Sequence, residues 1–128
     1  MQTCGTSEKT ILVADDDRNC LSMITTALQE SGHQVATAAN GIEALEQLRM
    51  NPSIAIVITD IVMPEKEGVA LIRSIRRLCG TIKIIAMTGS TNWEPIFATA
   101  NDFGVDVTLR KPFKINHLLE IIDLELAN

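Results

Sequence analysis

The chain has 128 residues, 46% apolar and 21% charged, with a net charge of −5. That length suits one domain whose core needs neither disulfide nor structural metal. The acidic balance argues against a basic face for nucleic acid, and no apolar run nears the ~20 residues of a membrane helix.

The first ten residues, MQTCGTSEKT, lack the basic start and apolar middle of a secretory signal. A cytoplasmic location is expected, with a protein or a cation as partner, no membrane and no direct nucleic acid. Cys4, Cys20 and Cys79 have no His or Cys beside them at metal-ligand spacing. Such a scattered set reads as buried or incidental thiols of a reducing compartment.

After a short extension over residues 1–9, a single domain is expected over 10–128. Thr10 to Ala14 is a buried strand ending at Asp15, Asp16 and Asp17. A helix follows over Arg18 to Ser31, with Leu21, Ile24 and Leu28 at helical spacing, and Gly32 closes it. Gln34 to Ala38 is a second strand. Gly41 to Met50 is a second helix with Ile42, Leu45 and Leu48 on one face, stopped by Asn51 and Pro52.

Ile54 to Thr59 is an unbroken β-branched and apolar run that halts at Asp60. Gly68 to Leu78 then offers Val69, Leu71, Ile72, Ile75 and Leu78 to the core, and Gly80 ends that helix. Ile82 to Met87 is a fourth strand, followed by Thr88, Gly89 and Ser90. A helix over Trp93 to Phe103 carries Pro95 in its first turn and stops at Gly104. Val105 to Leu109 is a weaker fifth strand, and Ile115 to Leu126 is the last helix. Ile115, Leu118, Leu119, Ile122 and Leu126 share its inner arc, while Leu124 and Ile121 fall outside it.

Strands alternating with helices predict an α/β fold, a doubly wound five-stranded parallel sheet with five helices. In such sheets, functional groups collect beyond the carboxyl ends of the strands. Those ends bring together Asp15, Asp16 and Asp17, then Asp60, Thr88 and Lys111. Carboxylates with ordinary pKa near 4 repel one another at pH 7 unless protons return or a cation sits among them. Mg²⁺ is the natural occupant of such an oxygen-rich site.

An acidic site beside a lysine and a hydroxyl suits phosphoryl oxygens. There is no Walker sequence, no GxGxxG and no HExxH, and His33 and His117 are the only histidines. The phosphoryl acceptor is therefore expected to be a carboxylate.

Four stretches together, ILVADDD, ITDIVMPEKEG, IIAMTG and LRKPF, make the chain resemble the receiver domains of two-component response regulators. The nearest kind is a stand-alone receiver similar to the chemotaxis regulator. The resemblance implies a flavodoxin-like strand order of 2-1-3-4-5. It also implies Asp60 as phosphoacceptor, Asp16 as direct Mg²⁺ ligand, Asp15 as its neighbour acting largely through water, and Val62 giving the metal a backbone carbonyl. Thr88 matches the hydroxyl that bonds the phosphoryl group, and Lys111 the lysine that pairs with it, ahead of a cis bond to Pro112.

The partners implied are a sensor histidine kinase or a histidine phosphotransfer protein, and a downstream protein target. The domain is expected to be no enzyme beyond catalysing its own phosphorylation and dephosphorylation. Monomer or weak homodimer is expected, with Leu124, Ile121 and Trp93 as a candidate partner face.

Thr108 departs from the family pattern, standing where a Tyr or Phe usually swings inward. A threonine is too small for that packing, so the signal is expected to leave by the loop after Thr88. Val62 is apolar at a position that influences phosphoryl loss in the family. Bland alternatives remain at each site: the aspartates after the first strand can cap a helix, Asp17 above all. Thr88 and Lys111 can be a strand-end hydroxyl and a surface charge. A phosphatase of the haloacid dehalogenase kind wants a second acid at Val62. The stronger rival is a receiver-like interaction module that takes no phosphate.

Overall fold

The computed structural model describes residues 9–61 and 67–127, the side chains of residues 67 and 68 excepted. The elements run β1 (Thr10–Ala14), α1 (Arg18–Glu30), β2 (Gln34–Ala38), α2 (Gly41–Met50), β3 (Ile54–Asp60), α3 (Glu67–Leu78), β4 (Lys83–Thr88), α4 (Trp93–Asp102), β5 (Val107–Arg110) and α5 (Ile115–Ala127). All strand pairings are parallel, in the order β2-β1-β3-β4-β5. The doubly wound sheet and its order are as expected. Residues 1–8, including Cys4, and residues 62–66, with Val62 and Pro64, lie outside the described residues.

Alternate residues of each strand point to opposite faces, which divides the core in two. Leu12, Val57, Ile84 and Ala86 pack with Ala44, Leu48, Ile72, Ile75 and Phe97 of α2, α3 and α4. Ile11, Val13, Ile58, Ile85 and Leu109 pack with Ile24, Leu28, Leu118 and Ile122 of α1 and α5. Burial of each large aliphatic side chain contributes about 1.5–3 kcal/mol. This double coverage explains why the strand sequences are nearly all apolar.

The caps are local and specific. Asp17 accepts hydrogen bonds from the Asn19 and Cys20 amides, so it caps α1 as expected. Asn40 accepts from the Glu43 amide while Glu43 accepts from the Ala39 amide, which fixes the start of α2. Gly32 and Gly104 adopt φ of 89° and 93°, the left-handed conformation that lets the chain turn out of α1 and α4.

Several expectations are corrected. Ile42 is 70% exposed and Ala44 takes the inward position on α2; Leu78 is 47% exposed at the end of α3. Ile121 is half-buried against the α1–α5 core, whereas Leu124 is exposed. β4 starts at Lys83 and keeps Thr88, β3 keeps Asp60, and β5 starts at Val107 instead of Val105.

The late start of β5 has a clear cause. Asp106 accepts from the Ile84 amide and from Arg76 Nη2, both at 2.8 Å, so residues 105–106 serve a junction rather than the strand. Arg76 also donates to the carbonyls of Gly104 and Ile82, tying α3 to the turns around β4 and β5. His33 is part-buried, 3.9 Å from Asp123. Cys79 is disulfide-bonded where a thiol was expected.

Candidate functional site

Among the described residues, Asp60 and Thr88 end β3 and β4, Asp15 and Lys111 follow β1 and β5 directly, and backbone hydrogen bonds hold these ends side by side at one edge of the sheet. The Asp15 amide donates to Ala38 of β2, the Ile61 amide to Met87 of β4, and the Lys111 amide to Thr88, at 3.1, 2.9 and 2.8 Å. The carboxyl ends of β1, β3, β4 and β5 are thereby fixed in register. Asp15, Asp60 and Thr88 are 0%, 7% and 1% exposed.

Lys111 closes the group from the opposite side. Its Nζ donates to Asp15 Oδ2 and to Asp60 Oδ2, each at 2.8 Å. Removing these charges from water is costly, and the pairing of Lys111 with the two acids offsets that cost. The Lys111–Pro112 bond is cis, as expected.

Burial alone works to lower the Lys111 pKa, but the hydrogen bonds to Asp15 and Asp60 outweigh it and hold the ammonium above the ordinary lysine range. A folded pKa raised above the unfolded one gives stabilisation that is complete below about pH 10.4 and lost as pH climbs through the folded value. In Mg²⁺-free buffer, urea unfolding of the native protein and of Lys111→Met should therefore differ by a constant amount from about pH 7 to 10, and by less above about pH 10.4. A difference that grows with pH there would show that the ammonium is not the stabilising form.

The carboxylates of Asp15, Asp16 and Asp60 each place an oxygen within 4.8 Å of the others. Asp16 is exposed, Asp15 and Asp60 are buried, so a cation would reach the two inner acids from the Asp16 side. All-oxygen donors at this spacing fit a hard divalent ion such as Mg²⁺. Asp17, turned away to cap α1, is not among them.

Thr88 Oγ1 accepts from the Ser90 amide at 3.1 Å, so its hydroxyl is engaged with the loop that leads to α4. Beside Lys111 opens a cleft of about 470 Å³ lined by Cys20, Met23, Gly89, Lys111, Pro112 and Phe113. Burial, and then a hydrogen bond with Asp15, pushes the Cys20 thiol up to about 11. It is accordingly a neutral thiol at pH 7.

Two features had escaped the sequence. Asp15 is the ion-pair partner of Lys111 as well as a member of the acidic group. Arg110 stacks its guanidinium over the Trp93 ring, 4.5 Å from the centroid. The only hint of either is the alternation of β5, which sends Arg110 and Lys111 to opposite faces.

Residues 11–123 match the family described as the response regulator receiver domain. The chain is 33% identical to the response regulator receiver protein CpdR of Brucella abortus, over 90% of this chain and 94% of that protein. It is 34% identical to the DNA-binding transcriptional regulator NtrC of Azospirillum brasilense, over 94% of this chain but only 24% of that regulator's length. A crystal structure of a CheY-like receiver domain protein from Methanospirillum hungatei superposes with a TM-score of 0.87 at 30% identity, covering 94% of this chain and 95% of that one.

Proposed function

The chain belongs to the response regulator receiver family, and from that premise we propose that Asp60 receives a phosphoryl group from a phosphohistidine. The donor would be a sensor histidine kinase or a histidine phosphotransfer protein, and the modified domain would change its binding to a downstream protein. The observation that carries this reading is the bridge of one ammonium, Lys111, between two buried carboxylates on different strands.

An oxygen of Asp60 attacks phosphorus in line. The O–P bond forms as the P–N bond breaks, and the imidazole departs as a neutral base once its other ring nitrogen is protonated. Lys111, kept charged by its two acids, stays in place to offset the phosphoryl oxygens. Asp15, Asp16 and Asp60 would hold Mg²⁺, which when bound neutralises phosphoryl charge. Attack of water on the same phosphorus then breaks the O–P bond and returns the carboxylate. Catalysis is confined to this one group on the domain itself, and the domain acts on no other substrate.

Thr88 is placed one strand away, with a buried hydroxyl whose oxygen accepts from the Ser90 amide and whose O–H can donate to a phosphoryl oxygen. A receiver-like module that takes no phosphate would gain nothing from burying Asp15, Asp60 and Lys111 together, since apolar residues of like volume pack without that desolvation cost.

Mg²⁺ offers the first test. Thermal or urea unfolding should show stabilisation that grows with Mg²⁺, by about 2.7 kcal/mol at a hundred times the dissociation constant. Asp16→Asn should remove most of it with little effect on the metal-free protein, because Asp16 is exposed. Uptake of phosphate from acetyl phosphate should stop when the metal is chelated. Equal stability with and without Mg²⁺ would count against the metal site.

A further inference from the structure

The usual inward-swinging aromatic of β5 is replaced by Thr108, yet an aromatic ring is present at this face from another source. Val107 and Leu109 pack into the core with α1 and α5, so Thr108 and Arg110 face α4. There stands Trp93, the first residue of α4, half-buried against the core and 5.9 Å from the Phe97 ring. Arg110 reaches over its face at 4.5 Å, well inside cation–π range.

Both ends of this contact lead back to Asp60. On the β5 side, Arg110 is the register partner of Thr88, and the next residue, Lys111, holds Asp60 through Nζ. On the α4 side, the Thr88 hydroxyl accepts from the Ser90 amide, and the Ser90 hydroxyl accepts from the Asn92 amide, each at 3.1 Å. Asn92 directly precedes Trp93 and makes no side-chain cap to α4. The start of that helix is therefore held by the turn from Thr88 and by the ring contacts of Trp93.

We propose that the Arg110–Trp93 contact is the readout element of this domain, set by whether the Thr88 hydroxyl serves Ser90 or a group on Asp60. The inference rests on the phosphoacceptor reading above. A charged phosphoryl oxygen is a strong acceptor for the Thr88 O–H, and a hydroxyl turned toward Asp60 carries Oγ1 away from the Ser90 amide that donates to it. The turn from Ser90 to Asn92 relaxes, Trp93 shifts against Arg110, and the first turn of α4 presents a different surface to a partner. Arg110 is a positioning residue here; it touches no reacting atom.

Trp93 is the only tryptophan, so the emission reports the surroundings of this one ring, and the Arg110 variants isolate the part due to this contact. The full chain is titrated with beryllofluoride and Mg²⁺, a stable mimic of the phosphoryl group, while fluorine NMR independently reports occupancy of the site. The expected result is a shift of the emission maximum, and a change in acrylamide quenching, that tracks occupancy. In Arg110→Met the unliganded spectrum should already be shifted and the response to occupancy lost; Arg110→Lys, which keeps a cation, should restore part of it. Far-UV circular dichroism checks that the variants fold, and the native protein carries the test if Arg110→Met does not. Full occupancy with unchanged Trp93 emission overturns the readout while leaving phosphate acceptance intact, as does a native-sized response in folded Arg110→Met. Absence of any bound-fluoride signal overturns the phosphoacceptor reading and this inference with it.

Discussion

Asp60→Asn is expected to reduce phosphoryl uptake from acetyl phosphate by at least about a thousandfold, the scale of loss when a covalent nucleophile is removed. Intact mass is the readout, with Mg²⁺ present in both samples. The amide has nearly the same volume as the carboxylate, so the buried position at the end of β3 should be kept. What it lacks is the negative oxygen that attacks phosphorus, and with it the charge that one of the two bonds from Lys111 meets. Because Asp15 still holds Lys111, the variant should fold, and failed uptake can be assigned to chemistry. A variant that gained one phosphoryl group at the native rate would place the acceptor elsewhere.

Lys111→Met should have the next largest effect, and it acts on stability as well as rate. Removing one member of a buried ion pair costs about 3–5 kcal/mol, because an uncompensated charge is left behind. The lower end applies here, since the Lys111 side chain is 19% exposed and water can reach its head group. Asp15 and Asp60 would then repel each other across the space Lys111 had filled. Mg²⁺ should recover part of the lost stability in urea unfolding, because it can neutralise the same two acids. Phosphoryl uptake should remain roughly 10²–10³-fold below native even at saturating metal, as for loss of one preorganised charge-stabilising donor. If stability were unchanged, the geometry of the bridge would not be energetically significant.

The placement of these residues was open to inference because a doubly wound sheet obliges its chemistry to sit at strand ends. Once TILVA and IAIVIT are taken as buried parallel strands, Asp15 and Asp60 must share one edge, and Thr88 and Lys111 follow by the same rule. Helix faces were less transparent. Spacing groups Ile42 with Leu45 and Leu48, but the angle around the axis that meets the sheet depends on how α2 docks, and Ala44 occupies it. Val105 resembles the start of a strand, yet Asp106 is recruited by Arg76 from a distant helix, a contact that no local pattern encodes. The Arg110–Trp93 pair was hidden for the same reason. Its two residues belong to elements brought together only by the register of β4 with β5.

This also locates the balance between readout and chemistry. The acids, the lysine and the hydroxyl carry the proposed chemistry, while the ring that Arg110 covers belongs to α4. A cation–π contact at a partly exposed site is worth about 0.5–1 kcal/mol, close to the net value of about 0.5–1.5 kcal/mol for an ordinary hydrogen bond such as that from Ser90 to Thr88. Terms this similar can be traded when Asp60 changes state, whereas the Asp15–Lys111–Asp60 bridge is too strong to serve as the moving part.

The most direct test of phosphate acceptance is to map the modified residue in the native protein. The chain is incubated with acetyl phosphate and Mg²⁺, reduced with borohydride to trap the acyl phosphate as homoserine, and digested for peptide sequencing by mass. The result predicted is homoserine at Asp60, dependent on Mg²⁺. Homoserine at Asp15, Asp16 or another carboxylate, or no modification at all, would contradict it.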